Sequence, residues 1–199
     1  VKAQAIVIRR RAILKAMSAA AAAALVSACA PLVVVGVAGT ALVATDRRSV
    51  GAQADDQAIE LKVASNLSNR YGDRVHVNVT SYNGNVLLSG EIPDTDVRNA
   101  IVDYTKTTDR VRKVYDEMVV GPPTELSART NDTYITSKVK SRFVEGSSKF
   151  SPTHVKVVTE RSVVYLMGIV RRDEGDAAAQ IASTTSGVDR VITLFEYIG

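Results

Sequence analysis

The sequence predicts an α+β protein built from two tandem copies of one unit, each running helix, strand, strand, helix, strand. Three observations predict it. The chain of 199 residues repeats itself: Asp56, Ile59, Val63 and Leu67 recur as Asp132, Ile135, Val139 and Phe143, and His76, Val77, Val79, Val86, Leu88 and Gly90 recur as His154, Val155, Val157, Val164, Leu166 and Gly168. Within each copy the apolar period changes from four to two, the switch from a helix stripe to strands. Gly121-Pro122-Pro123 then separates the copies, since consecutive prolines stop a strand and stiffen the link.

The elements follow in order. Asp56 and Asp132 are the residue type that caps a helix start, and the four-residue spacing behind each predicts a helix with one buried stripe. Val75, Val77 and Val79, then Val86 and Leu88, predict two half-buried strands, joined by a hairpin turn at Tyr82-Asn83-Gly84-Asn85. Val155 and Val157, then Val164 and Leu166, predict the same pair in the second copy. Second helices are expected over residues 95–108 and 173–186, and final strands over 113–120 and 190–198. The copies depart from one another at two glycines. Copy one has Arg110 where copy two has Gly187, and copy two has Arg161-Ser162 where copy one has Asn83-Gly84, which leaves the turn types open.

The N-terminus reads as a processing segment. Residues 1–28 hold five basic residues and no acidic one, and residues 16–26 are a short Ala/Leu/Val run. That is the layout of a secretory signal peptide. Val26-Ser27-Ala28-Cys29 resembles the bacterial lipobox, whose cysteine is acylated after the preceding peptide is removed. Acyl chains hold a protein on a membrane by roughly 0.8 kcal/mol per buried CH₂. The other reading is a buried cysteine in an uncleaved anchor, against which Pro31 interrupts the apolar run. Residue 30 is Ala rather than Asp, which in Gram-negative lipoproteins favours the outer membrane. The expected divisions are a signal peptide at 1–28, a lipidated tether at 29–54, domains at 55–120 and 131–199, and a linker at 121–130.

Composition narrows the function. A formal net charge of +4 first points to an anionic partner, but cleavage before Cys29 removes five basic residues and leaves −1. The basic balance is therefore no argument for nucleic acid. The second copy is the more basic: residues 127–199 hold 10 Lys/Arg against 8 Asp/Glu, and residues 55–120 hold 8 against 11. One cysteine cannot form an intramolecular disulfide. His76 and His154 occupy matching positions, lack a third ligand in the sequence pattern, and read as strand-edge surface residues, so no metal or cofactor is expected. Asp173, Glu174 and Asp176 suit a helix start. No nucleophile elbow, zinc-protease motif or phosphate loop is present, so no enzymatic activity is expected.

The order α-β-β-α-β, the strand pairs from Val77 to Gly90 and His154 to Gly168, and the late Gly187-Val188-Asp189-Arg190-Val191 resemble the BON domain. A lipobox followed by two such domains resembles the dual-BON outer-membrane lipoproteins. The resemblance implies a three-stranded mixed sheet packed on two helices in each domain. It also implies a protein lipid-anchored at the outer membrane, facing the periplasm and supporting envelope integrity. Its partners would be anionic phospholipid, bound through the first helix of the second domain, and the outer-membrane protein assembly and division machinery.

On that helix the candidate phospholipid-binding residues are Thr133, Tyr134, Lys138, Lys140, Ser141 and Arg142. Tyr134 lies off the core stripe with Lys138 beside it at i+4. An aromatic ring next to an ammonium group suits a headgroup region. Packing of Tyr134 on the first domain is the competing reading, and an adaptor that holds an envelope protein is the competing function.

Overall fold

Two buried aspartates organise the two domains. The structure, a computed structural model, describes residues 46–146 and 148–199; the expected signal peptide, lipobox and Cys29 lie outside the described residues. Helix α1 (Val50–Tyr71) begins six residues before Asp56, with Ser49 as its cap, whose Oγ accepts from the Ala52 N–H at 3.0 Å. Helix α3 (Leu126–Glu145) begins six residues before Asp132, and no side chain caps it. The aspartates are therefore not helix caps. Asp56 sits mid-helix and accepts from the Asn83 and Gly84 N–H groups at 2.7 and 2.8 Å. Asp132 accepts from the Arg161 and Ser162 N–H groups, both at 2.8 Å. Each carboxylate thus closes the hairpin turn of its own domain, between β1 (His76–Tyr82) and β2 (Asn85–Ile92) or between β4 (Val155–Glu160) and β5 (Val163–Val170).

This contact explains how one turn is built from two sequences. Asn83 and Gly84 have φ of 53° and 75°; Arg161 and Ser162 have 53° and 60°. Both central residues are left-handed in both hairpins, the primed geometry that matches strand twist. Side chains at such φ values are strained, and the buried carboxylate receiving both N–H groups holds Arg161 and Ser162 there. Arg110 likewise adopts φ of 67° where Gly187 has 92°.

Each domain continues with a helix and a third strand: α2 (Thr95–Thr107) and β3 (Lys113–Val120), then α4 (Arg172–Ser183) and β6 (Arg190–Tyr197). β2 lies between β1, antiparallel, and β3, parallel; β5 lies likewise between β4 and β6. These are the two mixed three-stranded sheets of tandem α+β domains.

One face of each sheet carries the helices. Ile59, Val63 and Leu67 of α1 pack with Val86, Leu88 and Ile92, and Ile135, Val139 and Phe143 of α3 with Val164, Leu166 and Val170. The other faces meet each other. Tyr82, Leu87, Tyr165, Met167 and Leu194 form a third apolar cluster that joins the domains. Hence β2 is buried at every position and β5 nearly so, where alternation predicts half-buried strands. Strands covered on both faces read as continuous apolar runs.

Residues 50–54 of the expected tether are helix, and α3 starts within the expected 121–130 linker. Among the described residues no helix is long and apolar enough to cross a membrane.

Candidate membrane-contact face

Helix α3 buries one stripe and exposes the opposite side. Ile135, Val139 and Phe143 are at most 1% exposed, whereas Leu126, Tyr134 and Val144 are 78%, 62% and 65% exposed. Tyr134 stands largely in solvent. Three hydroxyl residues of this helix fold back on their own turn: Thr130 donates to the Leu126 carbonyl, Thr133 to Arg129 and Ser137 to Thr133, at 2.9–3.0 Å. Such back-bonding satisfies the hydroxyls internally. The outer face is therefore less polar than its Ser/Thr content implies.

The expected lipid-binding residues divide into two groups. Lys138 Nζ lies 4.6 Å from the centroid of the Tyr134 ring, a cation–π pair, and donates to the Ser186 carbonyl. Arg142 turns toward α4, donating to the Ile181 carbonyl at 2.8 Å and to Thr185 Oγ1 at 2.7 Å. It thereby satisfies a carbonyl at the end of that helix, a favourable place for a cation. Lys138, Ser141 and Arg142, with Thr184, Thr185 and Ser186, line a shallow cleft of about 290 Å³. Thr133 and Lys140 are exposed but lie about 100° and 120° around the helix from Tyr134. The structure thus gathers Tyr134, Lys138, Ser141 and Arg142 and leaves Thr133 and Lys140 to one side.

Several buried charges lie elsewhere and carry no sequence signal. Arg47 makes a two-pronged contact with Glu174 at 2.6 and 2.8 Å, and also donates to the Ile169 carbonyl. Glu174 accepts from the Arg171 N–H as part of a capping box. The Arg47 hydrogen bonds, against the opposing effect of burial, hold the Glu174 carboxyl at about 2. Arg48 pairs with Asp46 and Asp56 and lies 4.0 Å from the Tyr82 ring centroid. Of the acidic cluster at the start of α4, Glu174 is thus a buried ion-pair partner, while Asp173 stays exposed.

His76 is not a surface residue of the strand edge. It is half-buried, with Nδ1 2.9 Å from Oε2 of Glu91. Asn78 donates to Glu160 across the domain junction at 2.6 Å, and Lys156 to Glu60 at 2.8 Å.

Comparison with known proteins follows this division into two copies. The BON domain model matches residues 55–122 and again 131–199. The chain belongs to the BON-domain family. It is 39% identical over 173 residues to the outer membrane lipoprotein DolP of Haemophilus influenzae, covering 85% of this chain and 89% of that protein. It is 34% identical over 155 residues to a 21 kDa hemolysin of Actinobacillus pleuropneumoniae, covering 77% and 79%. Together these make it a dual-BON protein of the DolP type and support an outer-membrane lipoprotein of a Gram-negative bacterium. Among solved structures, CdsD, a structural protein of the Chlamydia trachomatis type III secretion system, is 13% identical with a TM-score of 0.29. The match covers 72% of this chain and 63% of CdsD, and a similarity that low carries no functional argument.

Proposed function

We propose that this chain is a lipid-anchored outer-membrane protein, facing the periplasm, whose second BON domain docks α3 on anionic phospholipid and so supports envelope integrity. The observation that carries this reading is the outer face of α3: an exposed Tyr134 beside Lys138, with the hydroxyls of Thr133 and Ser137 satisfied within the helix. Tyrosine rings and ammonium groups suit the boundary between headgroups and water. A basic residue near an anionic surface contributes about 1 kcal/mol. The first domain offers no matching probe, since Ala58 stands where Tyr134 does. The reading assigns no catalysis to the chain.

The test is co-sedimentation of the Cys29→Ser chain lacking residues 1–28 with vesicles, with and without anionic phospholipid. Binding is expected only to the anionic vesicles, weakening as salt screens the charges. Tyr134→Asp, at an exposed position, is expected to reduce binding at least tenfold with an unchanged circular dichroism spectrum. Full binding by that variant would reject the assignment.

A second reading is a protein-interaction adaptor for the envelope assembly or division machinery, favoured by the exposed apolar residues Val119, Val120, Tyr197 and Ile198. Recovery of one stoichiometric protein partner by crosslinking, with no vesicle binding, would select it.

A further inference from the structure

Three side chains from the two domains converge at the edge of the stacked sheets. His76 opens β1, Glu91 is its register partner on β2, and Glu160 ends β4 of the second domain. One potential ligand atom from each lies within 4.8 Å of the others. Glu91 is 1% and Glu160 4% exposed, so both carboxylates are withdrawn from water. Glu91 is held on both oxygens: by the Thr124 hydroxyl on Oε1, and on Oε2 by the Thr124 N–H at 3.0 Å and His76 Nδ1 at 2.9 Å.

Glu160 is less well served. Its hydrogen bond comes from the neutral amide of Asn78 to Oε2. Among the described residues no Lys or Arg pairs with it. A buried carboxylate without a cation is costly, and either a proton or a metal ion relieves it. His76 and Glu160 also line an open cleft of about 250 Å³, with Asn78, Thr136 and Asp132, through which an ion has access.

We propose that His76, Glu91 and Glu160 form an interdomain site for a divalent transition-metal ion of the Zn²⁺ type. One imidazole nitrogen and two carboxylates are a three-ligand Zn²⁺ set, water filling the remaining position. The imidazole disfavours Ca²⁺ and Mg²⁺, which take oxygen ligands. Donors about 2.1 Å from a tetrahedral ion lie about 3.4 Å apart, so binding draws the three inward from their spread of up to 4.8 Å. The ion replaces the hydrogen bond between His76 and Glu91. It also bridges the first domain's β1–β2 pair to β4 of the second.

The experiment is calorimetric titration of Zn²⁺ alone, with Mg²⁺ and Ca²⁺ in parallel, into the full chain carrying Cys29→Ser to remove its thiol. One Zn²⁺ per chain is expected, at least tenfold tighter than either other ion, together with a rise in Tm. Glu160→Gln keeps the shape of the side chain and an acceptor for Asn78; it is expected to weaken Zn²⁺ at least tenfold with unchanged circular dichroism. In the NMR spectrum of the Zn²⁺-loaded chain the His76 ring carbons should shift and those of His154 should not. That measurement decides the matter without a variant, should Glu160→Gln not fold. Absence of Zn²⁺ binding, undiminished affinity in folded Glu160→Gln, or a shift at His154 in place of His76 would overturn the site.

Discussion

Asp56 and Asp132 perform one task at equivalent places, and neither task is visible in the residues around them. Their 76-residue offset and the helix stripe behind each are legible in the sequence. Their partners are not, because the turns they close lie 27–30 residues downstream. A local reading assigns a buried aspartate at the head of a stripe to the helix end. Here it serves a strand turn, where Arg161 and Ser162 have no glycine to ease positive φ. Asp132→Ala should leave two backbone N–H groups without their acceptor and release the strained turn, costing about 2–4 kcal/mol. Urea denaturation checks it, as a fall in the midpoint at constant m-value. Arg142 teaches a similar lesson. Its spacing on α3 is that of a headgroup contact, but its guanidinium belongs to the end of α4, 39 residues away.

The helix stripes and strand pairs are legible because each needs only one period along the chain. The second buried face of β2 and β5 is not. Val86 and Leu88 announce a face toward the helices, while the intervening Leu87 packs against the other domain's sheet, a partner that periodicity within one copy does not contain. Close packing also tightens the strand pairs at Gly90 and Gly168. A Cβ at either position would collide with a backbone carbonyl, that of His76 or His154, and Gly90 has φ of +117°. Backbone cannot swing aside as a side chain end does. Gly168→Ala is expected to destabilise the protein by about 1–3 kcal/mol, as overpacking does, read as a lowered Tm. The outer face of α3 was legible as an i, i+4 pair of Tyr134 and Lys138, whereas the His76–Glu91–Glu160 group was not, since its members come from three strands of two sheets.

At the scale of the molecule, Arg47 clasps Glu174 from the opposite end of the sequence, 127 residues away. The pair gives stability a defined pH dependence. The Glu174 carboxyl lies at about 2 in the folded chain, against about 4.3 for an ordinary glutamate. A lowered carboxyl pKa stabilises the fold fully above the ordinary value. That stability is lost as pH falls from there toward 2. Glu174→Gln should lower the urea midpoint at pH 7 and flatten its decline between about pH 5 and 2. The same clasp sets a load path. Arg47 precedes α1 of the first domain, yet it is fastened to α4 of the second. Load carried through Arg47 and Arg48 is therefore divided between Glu174 of the second domain and Asp56 of the first. The two arginines thus work as paired shear pins, one to each domain.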